Sequence, residues 1–149
     1  MSVTHWHHQE EWPGEARSIR HVRGFVTTNL VRHGLNDMVD DAVLVVSELA
    51  TNVVLHARTP FLVSLSRAEK HLLLEVTDAS SAQPLLAWSD PLGTSGRGLS
   101  IVEILSQAWG VDNATNGAKR VWASFPIPGI GNGDVGPPML DDPGGRLGV

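Results

Sequence analysis

The stretch SELATNVVLHA, residues 47–57, carries a polar row beside an apolar row at helical spacing. Glu48, Asn52 and His56 recur at every fourth position, which places a carboxylate, an amide and an imidazole on one face of a helix. The neighbouring face has the spacing of core residues and holds Val45, Leu49 and Val53. The stretch therefore predicts a helix that packs on a core and turns one edge toward a site.

The composition is that of one ordinary globular domain without a basic surface. The chain has 149 residues and a formal net charge of −5, with 11 Lys and Arg. Sequence-independent nucleic-acid binding needs a basic face, so we expect no nucleic-acid partner. The lack of Cys excludes disulfides and thiolate metal sites. No apolar run approaches the ~20 residues of a membrane span and no secretory pattern begins the chain, so we expect a cytoplasmic protein with no membrane partner.

Residues 1–12 are rich in His and Trp. They form either a metal-binding tract or a short edge strand with polar and aromatic side chains. We favour the strand, because no carboxylate or Cys is spaced to complete a tetrahedral site with His5, His7 and His8. A His-rich metal-binding arm on an unrelated α/β domain is the alternative interpretation.

Two helices are predicted before the first strands of the domain. Residues 13–15, PGE, are typical of a helix start, and Gly34 is placed as the C-cap glycine that ends this helix. Asp37 is a good N-cap for the second helix, which runs to about residue 57. Pro60 stops it.

Two segments of alternating polarity, FLVSLSR (61–67) and HLLLEVTD (71–78), predict a β-hairpin whose second strand ends at Asp78. Residues 79–95 show no sustained period. Because ~15 residues without regular structure are uncommon inside a compact domain, we interpret this segment as a lid or binding loop instead of a plain surface loop. Its apolar side chains would equally suit the docking of a partner.

A third helix is predicted in GRGLSIVEILSQAWG, with Gly96 and Gly98 at its start. Two further strands, WGVDNA and KRVWASF, complete the set of elements. Their order predicts an α+β two-layer sandwich, in which a mixed, largely antiparallel sheet is covered on one face by three helices.

The domain is expected to span residues 13–126. It follows an N-terminal strand or arm at 1–12 and precedes residues 127–149, which are rich in Gly and Pro and predict a flexible tail.

Several of these positions offer groups that suit nucleotide chemistry. A helix that starts with Gly-x-Gly can bind an anion through its free N–H groups, and Arg97 can add a charge-assisted contact to a phosphate. Asn52 offers a neutral oxygen that suits Mg²⁺ bound to substrate phosphates. Glu48 lies one turn away, ~6 Å along the axis, where it can deprotonate a hydroxyl or a water. Asp78 is either placed to accept a hydrogen bond from the exocyclic N–H of a purine or is a helix-cap or turn aspartate.

Four segments match a known family in order and spacing: SELATNVVLHA, EVTDASSAQP, GTSGRGLSIVEILSQAWGV and GAKRVW. They resemble the nucleotide-binding fold of the GHKL superfamily, which contains gyrase, the heat-shock chaperone ATPase, histidine kinases and MutL. Within it the chain is most similar to the small anti-sigma-factor serine/threonine kinases of bacteria, including the actinobacterial ATP-binding regulators. The resemblance covers about residues 13–126 and implies a Bergerat-type fold that binds ATP between its helices and the loop.

The resemblance also implies a role for each site residue. Asn52 would hold Mg²⁺, Glu48 would act as the catalytic base, and Asp78 would read adenine. The phosphates would be wrapped by Gly96, Arg97, Gly98 and Leu99. Proteins of this type resemble partner switches: they bind a sigma factor or another protein target, use Mg-ATP to phosphorylate a Ser or Thr of an antagonist (anti-anti-sigma) protein, and commonly pair as homodimers.

Three positions depart from the family pattern. Asp78 is followed by ASSAQP instead of Asp-x-Gly-x-Gly, Val53 stands where many relatives have Ala, and Arg120 replaces a common Thr. These departures keep a second hypothesis open, a binding module that retains the fold but sequesters a protein partner without catalysis. The affinity for Mg-ATP distinguishes this module from a protein kinase.

Overall fold

The computed structural model describes residues 5–78, 94–113 and 117–129. Within them five strands form one sheet: β1 Trp6–Trp12, β2 Phe61–Ala68, β3 His71–Asp78, β4 Ala108–Asn113 and β5 Lys119–Pro126. The α-helices of the described residues are α1 Ser18–Arg32, α2 Val39–Asn52 and α3 Thr94–Leu105. A 3₁₀ turn at Asn36–Met38 precedes α2, and a π-helical turn at Val53–Ala57 follows it.

The strands lie in the order β1-β2-β3-β5-β4, and every pair of neighbours is antiparallel. The predicted α+β sandwich is confirmed, and so are the β2–β3 hairpin and the edge position of the N-terminal strand. The mixed component expected for the sheet is absent among the described strands. Because β1 pairs with β2 along its whole length, it belongs to the same sheet as the rest of the domain.

The core lies between one face of the sheet and the helices. Alternate side chains of a strand face the same side, and the inward ones of the central strands are apolar and almost fully buried. They are Phe61, Val63, Leu65, Leu72, Leu74, Val76, Val121, Ala123 and Phe125. The first two helices cover them with Val22, Val26, Leu30, Val45, Val46 and Leu49. Burying a Val or Leu side chain contributes ~1.5–3 kcal/mol, so these rows hold the two layers together.

The first helix starts later than the sequence predicts. It begins at Ser18 instead of within residues 13–15, and Ser18 Oγ donates a hydrogen bond to the carbonyl of Pro13 at 2.7 Å. The residues before it form a turn that packs closely on the chain after α2, since a Cβ on Gly14 would lie 2.3 Å from the carbonyl oxygen of Thr59. Glycine is therefore required at position 14 by this close approach.

The predicted end of the first helix is confirmed. Gly34 has φ of 75°, its N–H donates to the carbonyl of Val31, and the N–H of Leu35 donates to the carbonyl of Leu30. This is the Schellman arrangement, in which a glycine in the left-handed region satisfies the last carbonyls of a helix.

The second helix differs from its prediction at its start and in the geometry of its last turn, but its helical backbone ends at Ala57, as predicted. Asp37 lies in the 3₁₀ turn, and no side chain caps α2, so the N-cap prediction is wrong. The α geometry ends at Asn52, after which the N–H of Arg58 donates to the carbonyl of Val53 at 2.8 Å, as in a π-helix. Arg58 has φ of 56° and ends the helix shortly before Pro60.

Two predicted segments lie mostly outside the described residues. Of the lid at 79–95, only Thr94 and Ser95 are described, at the start of α3, and the tail at 127–149 is described only to Gly129. None of the helices in the described ranges combines the length and the apolar character that crossing a bilayer requires.

Candidate functional site

The helix-covered face of the sheet changes from apolar to charged at one end of β3 and β5. The cross-strand pairs before this point are Leu72–Phe125, Leu74–Ala123 and Val76–Val121. The next pair on this face is Asp78 opposite Lys119. Phe61 lies beside Asp78 in β2, and Asn113 lies beside Lys119 in β4. The sheet therefore places a carboxylate and an ammonium next to each other on the face that the helices cover.

Asp78 and Lys119 form a buried ion pair. Nζ of Lys119 lies 3.6 Å from Oδ2 of Asp78, and the two side chains are 2% and 1% exposed. Burial lowers the pKa of Lys119 from its ordinary value, and the attraction of Asp78 opposes this shift. Since a buried charge loses most of its hydration, Lys119 opposes folding unless a carboxylate compensates it.

Lys119 is absent from the site residues predicted from the sequence, although the sequence contains a signal for it. In KRVWASF the side chains of Val121, Ala123 and Phe125 are assigned to one face. Strict alternation along a strand places Lys119 on that same face, toward the helices. A lysine at an inward position of a strand indicates a buried partner, and the register supplies Asp78.

Arg120 follows Lys119 in β5 and is one of the departures from the family pattern. Its side chain lies on the opposite face of the sheet. There it forms ion pairs with Glu75 and Asp112. The side chain at position 120 therefore does not approach the carboxylate of Asp78 from the helix-covered face, and the residue that does is Lys119.

The polar row predicted on the second helix is confirmed for two of its three members. Glu48 and Asn52 lie one turn apart in α2, where Asn52 is 4% exposed and Glu48 is half-buried. The π turn after Asn52 takes the chain out of the α period, and His56 is exposed. Because α2 packs against α1, α3 and β3, Asn52 lies well inside the helix layer.

The side-chain amide nitrogen of Asn52 is buried in this environment. Its Nδ2 is buried and has no hydrogen-bond acceptor among the described residues. A buried donor without any partner costs ~1–3 kcal/mol, and in native proteins such a group usually bonds to a water, an ion or a ligand when no protein atom accepts from it. A phosphate oxygen would accept from Nδ2, and the carbonyl oxygen of the same side chain suits Mg²⁺. The residues present therefore fit a magnesium-bound nucleotide.

The glycine-rich segment lies inside α3 instead of before it. The helix begins at Thr94, so Arg97, Gly98 and Leu99 already have helical backbone. The free N–H groups at the start of a helix belong to its first turn, which here includes Gly96, and they suit an anion. The prediction that the glycines open the helix is wrong by about one half-turn. The contribution of these four residues to phosphate binding stays a prediction.

The His-rich strand packs against the C-terminal end of α1. Nε2 of His8 lies 2.9 Å from Nε2 of His33, and Trp6 stacks on His33 with a centroid separation of 4.0 Å. Burial, and then the charges of His8, Arg32 and Arg67, lower the pKa of His33. The described ranges contain no cluster of three or more His, Cys, Asp or Glu that could hold a metal ion. These histidines therefore join a strand to a helix, in agreement with the edge-strand interpretation.

Fold and site together define a class of protein: a two-layer α+β domain with two polar residues one turn apart on its second helix and a central strand that ends in Asp78. The family profile of the histidine kinase-like ATPase domain matches residues 12–125. The chain therefore belongs to this family, which implies ATP binding, usually with Mg²⁺, and suggests an ATP-binding regulatory function. No curated protein matches the chain at a significant level.

Proposed function

We propose that this protein is an ATP-binding anti-sigma regulatory factor that acts as a protein serine/threonine kinase in a partner-switching circuit. It binds a sigma factor or another protein target, and it phosphorylates a Ser or Thr of an antagonist protein. Membership in the histidine kinase-like ATPase family supports nucleotide binding. The observation that carries the proposal is the buried Nδ2 of Asn52, which has no hydrogen-bond acceptor among the described residues and lies one turn after Glu48.

The different exposure of the two α2 residues supports different roles. Buried Asn52 suits a small ligand that enters the fold, and we assign it to Mg²⁺ and the phosphates. Half-buried Glu48 suits a hydroxyl that arrives on another protein. In the transfer step the Ser or Thr oxygen bonds to the γ-phosphorus, the bond to the β-phosphate oxygen breaks to release ADP, and Glu48 accepts the hydroxyl proton.

The other site residues complete the assignment. Asp78 accepts a hydrogen bond from the 6-amino group of adenine. The N–H groups at the start of α3, with Gly96 among them, bind the phosphates, and Arg97, Gly98 and Leu99 follow in the same segment. Magnesium neutralises phosphate charge when it is bound.

Two variants separate nucleotide binding from phosphate transfer. Asn52→Ala is expected to abolish the rise in melting temperature that Mg-ATP gives to the folded protein. Glu48→Gln is expected to keep this rise but to lose transfer of radiolabelled γ-phosphate to protein in an extract of the source cells. Glu103→Gln, at an exposed position of α3, is the matched control and should keep both properties. Normal transfer by the Asn52 and Glu48 variants would rule the proposal out.

A second candidate function is a binding module that sequesters its partner without catalysis. It is favoured by the missing glycines after Asp78. Calorimetric titration with Mg-ATP decides between the two, since the absence of measurable binding at millimolar nucleotide favours the module. For either function we propose a homodimer, which sedimentation equilibrium tests.

A further inference from the structure

The buried ion pair assigns Lys119 a role beyond that of a counter-ion. We propose that Lys119 is a base-recognition residue, whose ammonium donates a hydrogen bond to N1 of adenine while Asp78 accepts one from the 6-amino group. This inference rests on the proposed function and adds a specificity-determining residue to the same site.

The geometry of the pair matches one edge of the base. An ionised carboxylate only accepts hydrogen bonds, and an ammonium only donates them. Asp78 and Lys119 are directly opposite each other on adjacent strands, and Nζ lies 3.6 Å from Oδ2. Adenine presents a donor, the 6-amino group, next to an acceptor, N1, on its Watson–Crick edge, the edge that base-binding pockets read. The pair offers the complementary pattern of an acceptor beside a donor.

The packing of the sheet gives no stability reason for a lysine at this position. The three preceding cross-strand pairs on the same face are apolar, and a fourth apolar pair would continue the core. Replacing a buried ion pair by apolar residues is often neutral or stabilising. Adenine N1 would accept a hydrogen bond from the ammonium and offset part of the hydration that it loses on burial, so a bound ligand gives a reason for the pair that the packing of the sheet does not.

Arg120, the residue next to Lys119, points away from Asp78, so we assign recognition of the base to Lys119. Arg120 lies on the opposite face with Glu75 and Asp112, so it does not donate to a base held at Asp78. Among the described residues, Lys119 is the cation that pairs with Asp78 on the helix-covered face.

An atom-specific test compares Mg-ATP with the magnesium complex of 1-deaza-ATP, in which a C–H group replaces N1. We expect the wild-type protein to bind the analogue about tenfold to a hundredfold more weakly by calorimetric titration, as is usual for a lost hydrogen bond to a charged group. Lys119→Met is expected to bind ATP more weakly and to bind the two nucleotides equally. Lys70→Met, which changes an exposed lysine at the β2–β3 turn, should keep the wild-type preference.

The possible failures are distinguishable. A wild-type protein that binds ATP and the analogue equally overturns the role of Lys119 and leaves the proposed function intact, as does a Lys119→Met variant that keeps the full preference. A wild-type protein that binds neither nucleotide overturns the proposed function and this inference with it. If Lys119→Met does not fold, the double variant Asp78→Asn/Lys119→Met leaves no lone buried charge, and a retained preference for ATP in that protein overturns the inference.

Discussion

The ion pair of Asp78 and Lys119 allows a stability prediction whose magnitude follows from its geometry. Asp78→Asn removes the carboxylate that lies beside the buried ammonium. Coulomb's law at the 3.6 Å separation, with an effective dielectric constant of about 20, gives an attraction of about 5 kcal/mol. Breaking a buried pair by removing one partner typically costs about 3–5 kcal/mol. We therefore expect Asp78→Asn to lower the free energy of unfolding by about 3–5 kcal/mol.

The double variant Asp78→Asn/Lys119→Met removes both charges and is expected to recover most of this loss. A control is the exposed pair of Arg17 and Glu15, which are 2.6 Å apart with side chains 77% and 54% exposed. Solvent screens such a pair, so Glu15→Gln should change the free energy of unfolding by less than about 1 kcal/mol.

The assay is urea denaturation without nucleotide, followed by the fluorescence of the five Trp residues. Coupling between the two positions is the difference between the double variant and the sum of the single variants. The account of the pair fails if the two single effects simply add in the double variant. It also fails if Asp78→Asn costs no more than Glu15→Gln.

Three further changes have expected outcomes. Gly14→Ala should lower the free energy of unfolding by about 1–3 kcal/mol, because its Cβ would lie 2.3 Å from the carbonyl oxygen of Thr59. Gly24→Ala, within α1, should raise the free energy of unfolding by about 1 kcal/mol, because no atom lies within 4 Å of the new Cβ. Thermal unfolding of the Gly14 and Gly24 variants checks both predictions. Equal effects of the two substitutions would contradict them. The pKa of His33 in the folded protein lies below its ordinary value of 6.5. As the pH falls, His33 is therefore protonated in the unfolded state before it is protonated in the folded state, and the free energy of unfolding should decrease below pH 6.5. His33→Phe should reduce this loss in urea unfolding measured from pH 7 to pH 5, and an unchanged pH dependence would refute the assignment.

The sheet and its core are predictable from the sequence because they follow a period. The fully buried inward positions of β2, Phe61, Val63 and Leu65, are all apolar, and a slip of one residue would turn this row toward solvent. Gly34 is predictable because few residues other than glycine adopt a positive φ easily. The helix starts are less predictable. The first turn of α1 is fixed by the hydrogen bond from Ser18 to the carbonyl of Pro13, which no residue pattern marks.

The site is predictable only where one helix carries it. Glu48 and Asn52 are brought together by the α period, but the π turn that follows has no sequence signal, because the apolar run after Asn52 suits either helix. The partner of Asp78 depends on the register of β3 against β5, two strands that are distant in the chain. The alternation of side chains along β5 predicts which face of the sheet Lys119 occupies. That Asp78 is its neighbour follows only from the register of β3 against β5.

The central claim is that Asn52, whose buried Nδ2 has no acceptor among the described residues, binds a magnesium-bound nucleotide. The most direct measurement is the free energy of unfolding with and without Mg-ATP, for the wild-type protein and for Asn52→Leu. The wild type should gain about 2.7 kcal/mol at a nucleotide concentration one hundred times its dissociation constant, and Asn52→Leu should gain nothing. An equal gain in both proteins, or no gain in the wild type at millimolar Mg-ATP, would contradict the claim.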